Sequence, residues 1–359
     1  MVNPDEIVRS GPNQYICEEG IFRDITTFTQ SFRSPVVITG HQSFEAFKNY
    51  GNVPSGAKVY QHDGYCSDEV IRSISEFASG SDLIIGIGGG VILDTAKSVA
   101  DHLGVEVITV PTVAGTCAAA TPLSVMYDDT GAFVRVDYHT RTIHIALVDP
   151  TFLLSSPLDY VKSGISDSLA KWYEAEPIIH NDQNEDLSIM VKVALDHASY
   201  IKEILLNESR AAIESMETST MSPSFKNVVE AIIPLSGTVG GYGGKYGRTA
   251  GAHAIHNGLS FIDETHTVLH GHKVAYGILV QLVLEGKSEE VKNLLPFYHD
   301  LGFPSNLEGL NIVDSKDQAM KTVASHAVKP DETLQLISSF TESDVVEAMK
   351  YLESALVKR

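Results

Sequence analysis

Apolar and polar positions follow two regimes along the chain, short β-branched runs up to about residue 150 and long helix-spaced stretches after it. PVVIT (35–39) and AKVYQ (57–61) are strand-like, and QSFEAFKNYG between them predicts a helix. Behind Ser67, a candidate N-cap, DEVIRSISEF has apolar residues at helical spacing; DLIIGIGGG then starts as a buried-type strand and breaks into glycines. VILDTAKSVADHLG predicts a helix stopping at Gly104, and EVITVPT the next strand. Strand, glycine turn, helix and strand make a βαβ unit, so the fold class is α/β, a doubly wound parallel sheet. LSVMYDDTGAFVRV departs from that rhythm and predicts a hairpin about Asp128, Asp129, Thr130 and Gly131 appended to the sheet. ALVDP is the last strand and sets a boundary at Pro150.

Beyond it, EDLSIMVKVALDHASYIKEILL and SFKNVVEAIIPLSGTVGGYGG predict an all-helical second domain over 151–359, after an α/β domain over 1–150. The chain closes with SDVVEAMKYLESALVKR, an amphipathic helix with Ser343 as its expected cap. The glycines from Gly237 to Gly251 mark close helix approach or a kink, since no Gly-Lys-Ser/Thr follows them.

Length and composition fit this picture. A chain of 359 residues with 43% hydrophobic and 20% charged residues can fill two cores. A net charge of −20, from 46 acidic and 26 basic residues and no basic cluster, disfavours nucleic acid and anionic membranes as partners. MVNPDEIVRS has no export-signal pattern and no apolar run approaches a membrane span, so a cytoplasmic protein acting on a small molecule is expected. Three dispersed cysteines suggest neither a disulfide framework nor a cysteine-rich zinc site.

Two stretches carry candidate chemistry. Gly86, Gly88, Gly89 and Gly90 join a strand to a helix N-terminus, where backbone amides and the helix dipole favour a phosphate. Asp94 and Lys97 follow within two turns. GIGGGVI is not the Gly-x-Gly-x-x-Gly fingerprint, and a tight turn without ligand is the alternative. The strand end PVVITGHQ offers Gly40 where NAD-binding units place an acidic residue, so NADP is admitted beside NAD. The second stretch, Gly251 to Gly277, holds five of the fourteen histidines. His253 and His256 share a helix face, while His270 and His272 open the next helical run. Such residues could converge on a catalytic cation, its third ligand coming from elsewhere.

GPNQY, GIGGGVILDTAK, VPTVAGT, PLSVMY, GISDSLAKWYEA, HAIHNGL and HGHKVAYGILVQLVLE, in this order, resemble the iron-containing or type III alcohol dehydrogenases, and within them the glycerol dehydrogenase group. The resemblance implies a dinucleotide-binding α/β domain, an all-helical metal domain, an active site in the cleft between them and a homo-oligomer. It implies NAD or NADP at Gly88, Gly89, Gly90, Asp94, Lys97, Thr112, Thr116 and Gly40. It implies Asp167, His253 and His270 as ligands of one divalent metal, zinc before iron, manganese or nickel, with His256 near the nicotinamide as proton relay. His266 and His272 are expected in solvent. The competing role for Asp167 is a helix N-terminal acid.

Three positions depart from the glycerol dehydrogenase pattern: Val91 after the glycines, Cys117 where that group carries a substrate-facing aspartate, and Lys171 where it carries a small neutral residue. The last two imply an anionic substrate and look most like the hydroxycarboxylate dehydrogenase branch, whose members reduce short 2-oxo acids. Cys117 as a small buried residue, and Lys171 paired with Asp167 at i,i+4 so as to displace the metal, are the competing readings. Glycerol oxidation, a lyase of the dehydroquinate synthase type and a metal-free cofactor-binding protein are the competing functions.

Overall fold

The β-branched runs pair into a parallel sheet. The computed structural model describes residues 7–129, 131–181 and 187–355. Its strands are β1 (Gln14–Cys17), β2 (Pro35–Thr39), β3 (Lys58–Gln61), β4 (Leu83–Gly88), β5 (Glu106–Pro111), β6 (Leu123–Tyr127), β7 (Phe133–Tyr138) and β8 (Ile145–Val148). Six form a sheet in the order β1-β8-β5-β4-β2-β3, every neighbouring pair parallel. β2 and β4 are buried along their whole length, as apolar strands covered on both faces must be. β6 and β7 form a separate antiparallel pair, so the hairpin is present but is not part of the main sheet. Thr130, expected in its turn, lies outside the described residues.

The helices of the first half are α1 (Ile25–Thr29), α2 (His41–Lys48), α3 (Asp68–Phe77) and α4 (Gly90–Leu103). Ser67 caps α3, its Oγ accepting the Val70 amide. Ile71 and Ile74 of α3 and Ala96 and Val99 of α4 pack with Val36, Ile38, Ile84 and Ala146 of the sheet. The second half contains α5 (Pro150–Leu154), α6 (Leu158–Ile179), α7 (Ile189–Glu217), α8 (Pro223–Glu230), α9 (Ser236–Gly243), α10 (Gly251–Leu259), α11 (His270–Leu284), α12 (Ser288–Leu301), α13 (Lys316–Ala327) and α14 (Glu342–Ala355). Among the described residues no strand follows β8. Residues 185 and 186, expected in the helix that became α7, lie outside the described residues.

Local corrections have simple causes. A π-helical turn at Ala231–Leu235 separates α8 from α9 where Pro234 has no amide hydrogen to donate. At α14 the cap is Thr341, not Ser343. Its Oγ1 accepts the Asp344 amide and its own amide donates to Asp344 Oδ2, a reciprocal box that starts the helix earlier.

The chain forms two compact units, one of residues 9–161 with 211–238, the other containing 162–210 and the chain from 239 onward. The first holds the sheet. In the second, α10 packs against α11 and α13, and α14 against α11 and α13. No helix among the described residues is long and apolar enough to cross a membrane.

Candidate active site

The helical unit gathers histidines and carboxylates around one point. Asp167 lies in the middle of α6, not at its N-terminus, so the helix-dipole role has no basis here. It is 5% exposed, and α11 reaches it because residue 271 has no side chain. A Cβ there would lie 1.8 Å from the Ser163 carbonyl oxygen, and the Gly271 amide donates to Ser163 Oγ at 3.0 Å. That contact sets the first residue of α11, His270, beside the next turn of α6. His270 Nε2 stands 3.1 Å and His253 Nε2 3.3 Å from Asp167 Oδ1. One ligand atom from each residue lies within 4.8 Å of the others.

The rings are held from behind. Glu174, two turns after Asp167 on the same face of α6, accepts the Ala250 and His253 amides at 2.6 and 2.9 Å and faces His253 Nδ1 at 2.8 Å. With Nδ1 engaged, Nε2 of His253 is the atom presented to a metal, the carboxylate–histidine arrangement that fixes a ligand's tautomer. His270 Nδ1 faces His256 Nε2 at 2.9 Å, and His256 Nδ1 faces Asn257 Oδ1 at 3.1 Å. Asn257 Nδ2 donates in turn to Glu332 Oε2 at 3.1 Å. Each outward nitrogen is thus fixed by an inward contact. The His270 side chain remains 38% exposed and gives the site its open side.

The electrostatics suit a cation. Burial pushes the Asp167 carboxyl up, but the neighbouring His270 and His253 outweigh it and hold it well below its usual range. Burial likewise opposes ionisation of Glu174, which His253 nevertheless keeps low. Burial would depress His253, yet Glu174 and Asp167 raise it to about 9. His256 is pushed well down by burial, with His270 and Lys273 adding to the effect, and is neutral. A carboxylate and two imidazoles with one open side match the donor set of a catalytic divalent metal.

A sign follows for metal loading. Below pH about 9 the His253 proton of the metal-free protein must leave before Nε2 can coordinate, so affinity falls as pH falls, by up to about tenfold per unit. Zinc titrations at pH 6.5, 7.5 and 8.5 should show that slope. Glu174→Gln, which removes the charge that raises His253, should flatten it and weaken binding about 10–100-fold. An unchanged slope and affinity would exclude the supporting role.

Lys171 is 7% exposed, and its Nζ donates to the Arg248 carbonyl at 2.8 Å. Among the described residues it makes no ion pair with Asp167, so the reading in which it displaces the metal loses its structural basis. Its charge acts on Glu174 instead. Of the histidines expected in solvent, His266 is exposed, whereas His272 is half-buried against Phe303, their ring centroids 5.9 Å apart. Glu174 was not foreseen. Its signal was the seven-residue spacing from Asp167, two helical turns along one face.

The sheet unit holds the glycine turn. Gly88 ends β4, Gly89 caps α4 and Gly90 begins it, so the unpaired amides of the first turn of α4 face outward. A Cβ on Gly88 would lie 2.6 Å from that of Ile92. The segment after β5 closes on this turn. The Thr112 amide donates to the Gly88 carbonyl at 3.0 Å, and Thr116 Oγ1 would sit 3.3 Å from a Cβ on Gly90. Cys117 is half-buried and not in a disulfide, and its carbonyl accepts the Ala120 amide.

Asp94 and Lys97 correct the reading that put them on the cofactor. Lys97 Nζ donates to the Ala118, Thr121 and Leu123 carbonyls and pairs with Asp94 Oδ1 at 2.8 Å, with 1% of its side chain exposed. Asp94 Oδ2 accepts the Val125 amide. The ammonium's three hydrogens are taken, and the pair acts by fixing the chain from 118 to 125 beside the turn. The premise that no carboxylate stands at the end of β2 is also corrected. Gly40 caps α2, and Asp63, arriving from beyond β3, accepts the His41 amide there at 2.8 Å.

A parallel sheet with a glycine turn and a catalytic-type metal triad are the working parts of a dehydrogenase of CH–OH groups. The family model for iron-containing alcohol dehydrogenase matches residues 12–150. Hydroxycarboxylate dehydrogenase A of Escherichia coli is 36% identical over 362 residues, 98% of each chain. A glycerol dehydrogenase of Thermotoga maritima is 36% identical over 310 residues, 85% of this chain and 83% of that one. The solved structure of a probable glycerol dehydrogenase from Sinorhizobium meliloti superposes with a TM-score of 0.87 at 26% identity, over 97% of this chain and 98% of that one. The chain belongs to the iron-containing alcohol dehydrogenase family and is a dehydrogenase acting on CH–OH groups.

Proposed function

We propose that the protein interconverts a short 2-oxo acid and its 2-hydroxy acid, using a nicotinamide dinucleotide and one divalent metal, zinc before iron, manganese or nickel. The observation that carries the metal half is the convergence of Asp167 Oδ1, His253 Nε2 and His270 Nε2 on one point. When bound there, the metal supplies Lewis acidity that polarises a carbonyl oxygen or lowers the pKa of an alcohol. A nicotinamide dinucleotide, whose phosphates the first turn of α4 beside Thr112 and Thr116 would hold, would supply or accept the hydride.

The chain's own residues do the rest. Glu174 holds His253 in the required tautomer. His256, kept neutral by burial and oriented at Nδ1 by Asn257, would accept the His270 Nδ1 hydrogen at Nε2 and so hold His270 in the tautomer that leaves its Nε2 for the metal. Lys171, one turn after Asp167 on α6, would pair with the substrate carboxylate; an ammonium has three donors, and the Arg248 carbonyl takes one.

Oxidation of glycerol is the second reading, favoured by the likeness to glycerol dehydrogenases. Dialysis against a chelator followed by assay with 2-oxobutanoate and NADH tests the first. Loss of turnover, restored by zinc, is expected. Undiminished turnover of metal-free protein would rule the mechanism out, and activity confined to glycerol would rule out the substrate.

A further inference from the structure

β2 is the neighbour of β4 in the sheet, with Thr39 paired to Ile87, so its carboxyl end lies one strand over from the glycine turn. In parallel dinucleotide-binding sheets this position serves the adenosine ribose, where an acidic side chain can accept hydrogen bonds from the hydroxyls. In this chain the residue after Thr39 is glycine, and the carboxylate comes from another strand. β3 pairs with β2 up to Thr39 and Gln61, and two residues later Asp63 turns back over the end of β2. Its Oδ1 accepts the His41 amide at 2.8 Å and its Oδ2 pairs with His41 Nδ1.

Gly40 and Asp63 are sterically complementary. A Cβ on residue 40 would lie 3.0 Å from Asp63 Oδ1 and 3.1 Å from Ser43 Oγ, so the carboxylate stands where a side chain of residue 40 would begin. The carboxylate is also reachable, the Asp63 side chain being 58% exposed and that of His41 62%. Donation by the His41 amide holds the Asp63 carboxyl below its usual range.

We propose that Asp63, delivered across the sheet edge and seated by His41 and Gly40, reads the 2′ position of the adenosine ribose and selects NAD over NADP. This deepens the proposed function and rests on its nicotinamide cofactor. A carboxylate can accept hydrogen bonds from ribose hydroxyls, whereas a 2′-phosphate would set like charges against each other. His41, whose ring could otherwise answer a phosphate, is engaged by Asp63 Oδ2.

The test is the ratio of NADPH to NADH dissociation constants, measured by fluorescence titration on the full chain. We expect wild type to prefer NADH by about 30-fold or more, and Asp63→Asn to bring the ratio to within about threefold. The double variant Gly40→Asp/Asp63→Gly, which moves the carboxylate to the residue directly after β2, should restore the preference. Wild type binding both nucleotides equally, or Asp63→Asn keeping the wild-type ratio with native circular dichroism, would overturn the proposal while leaving the nicotinamide reading intact. Failure of wild type to bind either nucleotide would overturn both.

Discussion

Asp167→Ala is expected to lose the metal and to lower kcat/KM for 2-oxo acid reduction by about three orders of magnitude or more. Asp167 Oδ1 is the atom that both imidazole Nε2 atoms face, so its removal leaves two histidines without a common partner. His253 would remain seated on Glu174 through Nδ1, and the helices around it keep their packing. The variant should therefore fold, with wild-type far-UV circular dichroism, and fail only in metal retention and turnover. His253→Ala and His270→Ala should match it in metal loss. A variant that keeps one metal per chain and loses less than about tenfold in kcat/KM would remove Asp167 from the ligand set.

The second large effect is expected at Lys171. Lys171→Thr should reduce kcat/KM for 2-oxobutanoate about 10–100-fold, mainly through KM, while glycerol oxidation changes by less than about threefold. The substitution also removes a donor from the Arg248 carbonyl and a positive charge from beside Glu174, so some loss of Tm accompanies it. Lys171→Met keeps the buried volume and separates the two consequences. If Met and Thr variants lose keto-acid activity equally while differing in Tm, the ammonium acts on substrate. Equal losses on keto acid and glycerol would assign Lys171 a purely structural role.

What the sequence disclosed depended on how local the signal was. The glycine turn and α4 are contiguous, and hydrophobic runs with a glycine break identify them without tertiary information. The histidine pair on α10 is visible for the same reason, because three residues along a helix are neighbours. β1 escaped notice because QYIC is four residues long, sits at the sheet edge and is defined by its pairing with β8. Asp63 escaped because its place depends on a return from β3 over β2, a long-range event with no local pattern. Lys97 misled in the opposite direction. A lysine two turns after a glycine loop suggests a phosphate, but the buried face of α4 turns it inward onto three carbonyls. Near a glycine turn, burial decides between a ligand contact and a strut, and the sequence alone left that open.

The relation of Lys171 to Asp167 carries the same lesson. At i,i+4 an ion pair was a reasonable expectation. The fold instead gives Lys171 a carbonyl from another segment and gives Asp167 two imidazoles.

The most direct test of the account compares kcat/KM for 2-oxobutanoate and for dihydroxyacetone, both with NADH, on the zinc-loaded enzyme. A preference for the keto acid of about 100-fold or more is expected if a metal and a buried ammonium together receive an α-oxo carboxylate. Equal rates, or a preference for dihydroxyacetone, would contradict it.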